Sequence, residues 1–243
     1  MIGIKWIWAF LDTVEGDADA SEAFWQNVTR TRISTRRGER EEFATLIPEG
    51  GDPWVKVQRV FSGGGVHLDL DVDDVGAGAA EAARLGATVV HRYPDGTVIV
   101  MRSPGGFTFC ITSWAHAGSP TTQIRIGEPD LLDQVCLDIP STLFDQECSF
   151  WEKLTGWNRR PAGREFERLA RPDGIPIGLL LQRLDTVTGE VGAHVDFACH
   201  DRGASRVTHE AAGATFVGEP NPDEWTVMRD PVGRVYCLTR RSP

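Results

Sequence analysis

Two histidine–aspartate pairs carry most of the chemistry legible in this chain. His67 and Asp69 lie two residues apart in HLDLDVD, and His194 and Asp196 lie two apart in HVDFAC. Residues two apart on a β-strand share a face. A carboxylate beside an imidazole raises its proton affinity and orients it as a base. The alternative is that each aspartate pairs with a nearby arginine or turn amide, because such groups also serve purely structural networks. Each stretch is followed by a later strand-like run that carries a cysteine, Cys110 in one and Cys237 in the other. A catalytic thiolate needs an electropositive setting, and nothing local beyond the histidine supplies one. The start of the chain offers a different surface. Trp6, Trp8 and Phe10 alternate onto one face, which suits stacking on a flat, apolar or cationic small molecule; the alternative is that these rings fill a core. His91, His116, His200 and His209 show no partner pattern and read as surface or loop residues.

The elements that position these residues are written twice. Residues 67–112 and 194–239 align without a gap at an offset of 127, with 16 of 46 positions identical. Unrelated segments would match at about 3 of 46, so the chain is a duplication. Residues 66–72 alternate as a strand, 74–85 form an alanine-rich helix stopped by Gly86, and strands follow over 88–92, 97–102 and 107–112. Before them, 5–12 reads as a strand, 17–28 as a helix with Asp17 as N-cap, and 32–36, 42–47 and 54–61 as strands. Residues 114–133, with Gly118, Pro120, Gly127 and Pro129, read as a linker. The plan then repeats: strand 134–139, helix 142–155, strands 164–171 and 176–183, and the second copy of the signature. Phe24–Trp25 recurs as Phe150–Trp151 at offset 126. The expected fold is α+β, with four βαβββ modules in two domains, residues 1–117 and 118–243.

A tandem βαβββ chain with HxDxxxxD, then LGA or AGA, then a DPxG-type turn and a closing strand resembles the vicinal oxygen chelate superfamily. It is most similar to glyoxalase-like and bleomycin-resistance-like members. The resemblance implies that two modules form one cup-shaped domain, and that metalloenzymes of this kind hold a divalent ion through four side chains on the cup floor. At the matched positions the first cup presents Phe10, Gln58, His67 and Cys110, and the second presents Cys136, Gln182, His194 and Cys237. Phenylalanine cannot ligate, and the carboxylates typical of the metal site are missing from both. Cys136, Gln182, His194 and Cys237 could in principle hold zinc; the alternative is that both cysteines are small buried apolar side chains. Arg59 and Arg183, beside the two glutamines, alternate to the opposite face. Ring-cleaving dioxygenases share four modules but use two histidines and a glutamate on iron, and that set is absent at the matched positions, so an iron extradiol enzyme is not expected.

Composition narrows the partners. The net charge of −10 disfavours a nucleic-acid backbone and an anionic membrane. The apolar opening at residues 6–11 is far short of the ~20 residues of a membrane span, and no secretory signal pattern is present. Five widely spaced cysteines without a CxxC suggest free thiols in a reducing cytoplasm. The expectation is a cytoplasmic glyoxalase-like protein, monomer or homodimer, that binds or transforms a small organic molecule with no resident cofactor. His67 and His194 are the candidate bases, and a ligand-sequestering protein of bleomycin-resistance type is the alternative.

Overall fold

The computed structural model describes residues 1–114 and 129–243. All four modules have the order β-α-β-β-β. The first comprises β1 (Ile4–Val14), α1 (Ala18–Val28), β2 (Arg32–Ile33), β3 (Phe43–Ile47) and β4 (Val55–Val60). The second comprises β5 (Gly65–Val72), α2 (Val75–Arg84), β6 (Thr88–Arg92), β7 (Val98–Arg102) and β8 (Thr108–Ser113). The third has β9 (Asp130–Pro140), α3 (Phe144–Thr155), β10 (Arg159–Pro161), β11 (Phe166–Leu169) and β12 (Gly178–Leu184). The fourth has β13 (Gly192–Cys199), α4 (Arg202–Ala211), β14 (Thr215–Asn221), β15 (Trp225–Arg229) and β16 (Val235–Thr239). The eight strands of each half form one sheet, in the order β2-β3-β4-β1-β5-β8-β7-β6 and β10-β11-β12-β9-β13-β16-β15-β14. The α+β, tandem βαβββ expectation therefore holds.

Local signals explain most element boundaries. Asp74 and Asp201 cap α2 and α4 by accepting from the amides of Ala77 and Ala204, at 2.8 and 3.0 Å. Gly86 and Gly213 follow these helices with φ of +108°, which a side chain would resist. Four expectations need correction. Asp17 stands at the N-cap of α1, but its side chain makes no capping bond and a 3₁₀ turn precedes it. The strand expected over 32–36 is only two residues long. β10 was not foreseen; its ladder to β11 supplies pairing that a three-residue segment cannot signal alone. β9 begins at Asp130, inside the expected linker; residues 115–128 of that linker, and with them the boundary at 117/118, lie outside the described residues.

By packing, the chain forms two compact units, one of Met1–Ala9, His67–Pro120 and Cys136–Ala193, the other of Phe10–Val66, Thr121–Val135 and His194–Pro243. In the first unit Trp151 of α3 is fully buried, with ring centroids 6.0 Å from Phe107 and 5.2 Å from Phe109. In the second unit Trp25 of α1 stacks on Phe197 at 6.3 Å and meets Tyr236 edge-on at 5.4 Å.

Each buried indole donates to a carboxylate, and the two carboxylates come from opposite places. Trp25 Nε1 donates to Asp230 Oδ2 at 3.0 Å; Asp230 belongs to the β15–β16 turn and also accepts from the amides of Val232 and Arg234. Trp151 Nε1 donates to Glu147 Oε1 at 2.9 Å; Glu147 belongs to α3 itself, and its other oxygen accepts from the amide of Gly105 in the β7–β8 turn at 2.8 Å. At the repeat-equivalent positions Ser21 replaces Glu147, Ser103 replaces Asp230, and Phe107 replaces Arg234. The guanidinium of Arg234 lies 6.0 Å over Trp25 and ion-pairs with Asp230 at 3.2 Å, where the other unit places a phenyl ring. Gly105 is forced by the same exchange. A Cβ there would lie 2.5 Å from Val191 Cγ2 and 2.9 Å from Glu147 Oε2, whereas the equivalent Val232 faces no incoming glutamate. Burial pushes the Glu147 carboxyl up from its ordinary value, against hydrogen bonds with Ser103, Trp151 and Gly105.

Asp230→Ala should therefore destabilise the protein by about 3–5 kcal/mol, because it strands the buried Arg234 charge and leaves two turn amides and an indole without an acceptor. Gly105→Val should also destabilise it through the clash, while Val232→Gly should cost at most about 1 kcal/mol. Urea unfolding midpoints of the three variants measure this.

Candidate functional site

The strand floor of the first half is set by β5 and β8, which run parallel with Asp69 opposite Cys110 and Asp71 opposite Thr112. Opposed residues in a ladder point to the same face, so alternation brings His67, Asp69, Asp71 and Cys110 onto one side and turns Leu68 and Leu70, both fully buried, to the other. His67 Nε2 lies 3.6 Å from Asp69 Oδ1. The ligand-capable atoms of His67, Asp69 and Cys110 all fall within 4.8 Å of one another, and all three residues are buried. Asp71 has another task. It accepts from Thr112 Oγ1 at 2.5 Å and from Trp8 Nε1 at 2.9 Å.

The second half repeats the frame. β13 and β16 run parallel with Asp196 opposite Cys237. His194 Nε2 lies 3.3 Å from Asp196 Oδ1, and the other carboxylate oxygen accepts from Gln134 Nε2 at 2.6 Å. The Asp196 side chain is 3% exposed and that of His194 is 14% exposed, so the carboxylate is sequestered while the imidazole keeps an edge toward solvent.

The other expected residues are placed as follows. Trp6 and Trp8 pack edge-to-face at 6.4 Å, only 1% and 7% exposed. Phe10 packs edge-on against Phe43 at 6.3 Å, with the Lys56 ammonium 5.0 Å from its ring centre. Gln58 stands opposite Phe43 in the β3–β4 ladder. The Cys136 sulfur lies 4.0 Å from Gln182 Oε1. In both clusters the carboxylate partner comes from the histidine's own strand, two residues on. Asp69 and Asp196 were legible as partners of the histidines, but not as members of a donor set. All five cysteines are free and buried. Burial pushes the thiols of Cys148 and Cys199 up to about 12, which removes them as nucleophiles.

His209 corrects a sequence expectation. It is fully buried, not a surface residue. Its Nδ1 lies 2.9 Å from the Tyr236 hydroxyl and its Nε2 lies 3.4 Å from Asp130 Oδ2. Arg30 completes this cluster with a 2.8 Å bond to Asp130. The partners lie on β9, on β16 and just past the end of α1, so no short-range pattern around His209 reveals them. His91 and His200 are exposed as expected, and His116 lies outside the described residues.

With this geometry in view, similarity to known proteins can be placed. The glyoxalase-like domain model matches residues 8–112 and again 134–239. The chain belongs to the glyoxalase-like domain family. Among solved structures this glyoxalase-like chain is similar to the Mn(II)-bound glyoxalase from Novosphingobium aromaticivorans, with TM-score 0.67, 17% identity, and coverage of 98% of this chain and 83% of that one. It is also similar to the 2,2',3-trihydroxybiphenyl 1,2-dioxygenase from Sphingomonas wittichii, with TM-score 0.63, 14% identity, and coverage of 98% and 90%. At these identities the likeness shows the fold alone. A search of curated proteins returned no match. Among the described residues no helix is long and apolar enough to cross a membrane. The donor group on β5 and β8 of this glyoxalase-like chain contains one histidine.

The His209 cluster gives a pH test. Burial works to raise the Asp130 carboxyl, but hydrogen bonds from His209 and Arg30 outweigh it and hold the group below its ordinary value. Such a group contributes stability above the ordinary aspartate range and loses it as pH falls through the depressed value. Asp130→Asn should flatten the acid limb of stability, read as the urea midpoint against pH between about 6 and 3.

Proposed function

We propose that this protein binds a small organic molecule on a strand floor and acts on it by proton transfer, with His194 as the base and Asp196 as its orienting partner. The observation that carries this reading is the pairing at 3.3 Å of a buried carboxylate, itself fixed by Gln134, with an imidazole that keeps solvent access. The carboxylate holds such an imidazole in one orientation and stabilises the imidazolium that forms as it takes a proton, which is what a general base requires. His67 and Asp69 form the repeat of this pair. The sequence positions Gln58, Gln182, Cys136 and Cys237 are proposed to line the ligand sites with them.

A divalent metal is the group that similar folds such as the Mn(II)-bound glyoxalase hold. Imidazole, carboxylate and thiolate donors within 4.8 Å fit such an ion. His67, Asp69 and Cys110 would hold it in the first half, and it would supply Lewis-acid polarisation of a bound oxygen. The proton-transfer role of His194 does not depend on it.

The test uses tryptophan fluorescence with planar aromatic drugs and small carbonyl compounds as probes, followed by mass spectrometry of every compound that binds. Binding with conversion, slowed about 10²-fold or more in His194→Ala at similar affinity, is the expected result. Binding without conversion by the wild-type protein would overturn the enzymatic reading in favour of a sequestering protein of bleomycin-resistance type.

A further inference from the structure

We infer that one face of the first module, on β2, β3 and β4, is an anion site that takes the carboxylate of a small organic molecule. The inference rests on the reading that the strand floors bind small molecules, and it names the charge of the one held here. The ladder registers set the face. In β3–β4, Phe43 stands opposite Gln58 and Thr45 opposite Lys56. In β2–β3, Arg32 stands opposite Ile47, and a single bridge puts Arg37 opposite Phe43. Opposed residues and residues two apart share a face, so Arg32, Arg37 and Lys56 join Phe43 and Gln58 on one side. Cross-strand neighbours have Cβ atoms only about 4.5–5.5 Å apart, within reach of long side chains. Phe10 of β1 backs the group. Its ring meets Phe43 edge-on, and the Lys56 ammonium lies 5.0 Å from its centre. Arg32 and Arg37 are exposed, while Phe43, Lys56 and Gln58 are half-buried. On β2, β3 and β4 this face carries no carboxylate; on β1, Asp12 follows Phe10 by two residues.

Neighbouring arginines are treated differently. Arg36 and Arg59 are both tied to the Glu22 carboxylate of α1, and Arg59 also reaches Asp19. Arg37 instead donates to two hydroxyls, Ser34 Oγ at 3.3 Å and Thr45 Oγ1 at 2.9 Å. Arg32 meets no carboxylate among the described residues. The chain has a net charge of −10, so guanidinium groups without carboxylate partners on one face point to an anion supplied from outside. A guanidinium matches a carboxylate as a two-point fork, and Phe43 offers apolar surface to the rest of the molecule. The aromatic face of β1 alone suited an apolar or cationic molecule; the side chains beside it reverse the sign. The third module supplies a control. It keeps the phenylalanine–glutamine pair, Phe166 opposite Gln182, but its exposed Arg168 faces Leu180, which stands in the ladder position of Lys56.

The probes are 2-naphthoate and its neutral counterpart 2-naphthamide, followed by equilibrium dialysis. Naphthoate should bind at least about tenfold more tightly than naphthamide, as a charge-assisted hydrogen bond allows, and should lose most of that advantage in concentrated salt. Arg37→Gln and Arg32→Gln should each remove much of the preference for naphthoate and leave naphthamide unchanged. Arg32→Gln breaks no hydrogen bond among the described residues, so its effect is not one of unfolding. Arg168→Gln, which deletes a comparable exposed charge elsewhere, should change neither probe. Binding is read without conversion, so the result is independent of whether His194 acts as a base. Equal affinity for acid and amide overturns the anion site and leaves a small-molecule binder standing. No binding of naphthoate, or a loss in Arg168→Gln as large as in Arg37→Gln, also overturns it.

Discussion

A buried carboxylate that accepts both from a tryptophan indole and from turn amides ties α1 and α3 each to the turn that delivers a closing strand. Trp25 and Trp151 each fill the space under a sheet, and a buried indole N–H without an acceptor would cost about 1–3 kcal/mol. Asp230 and Glu147 meet that demand, and each also accepts from turn amides, which fixes where β16 and β8 begin. Those strands carry Cys237 and Cys110. The register that sets a sulfur opposite an aspartate thus begins at this clamp.

The duplication kept the function of the clamp while moving its charge. In one unit the carboxylate sits on the turn beside a buried arginine; in the other it sits on the helix, beside a phenylalanine and a glycine. The changes at the four repeat-equivalent positions form one set. A helix glutamate reaching into the turn needs the volume that Gly105 leaves open, and Arg234 needs the Asp230 anion. Mixing parts of the two sets would bury an unpaired charge or force a clash, the two costs that most strongly constrain cores.

The strand floors diverge in the same manner. Trp8 and Gln134 occupy equivalent places on β1 and β9, yet the indole donates to Asp71 and the amide to Asp196. The residue equivalent to Asp71 is Ala198, so the amide turns to the one remaining carboxylate. In the second half the aspartate beside the histidine is thereby held by a direct side-chain bond, which motivates assigning the base to His194.

The sequence by itself determined the four βαβββ modules, the 127-residue repeat and the common face of each HxD pair. These follow from short-range physics: two-residue alternation, aspartate caps, glycines at positive φ, and a gapless register between copies. Only the tertiary structure decided that Asp69 joins a donor set, that His209 is buried against Asp130 and Tyr236, and that Glu147 does for one turn what Asp230 does for the other. These outcomes depend on partners 27 to 205 residues apart. No local period records such pairings, because they arise when helices and ladders pack and each buried polar group must find an acceptor or donor.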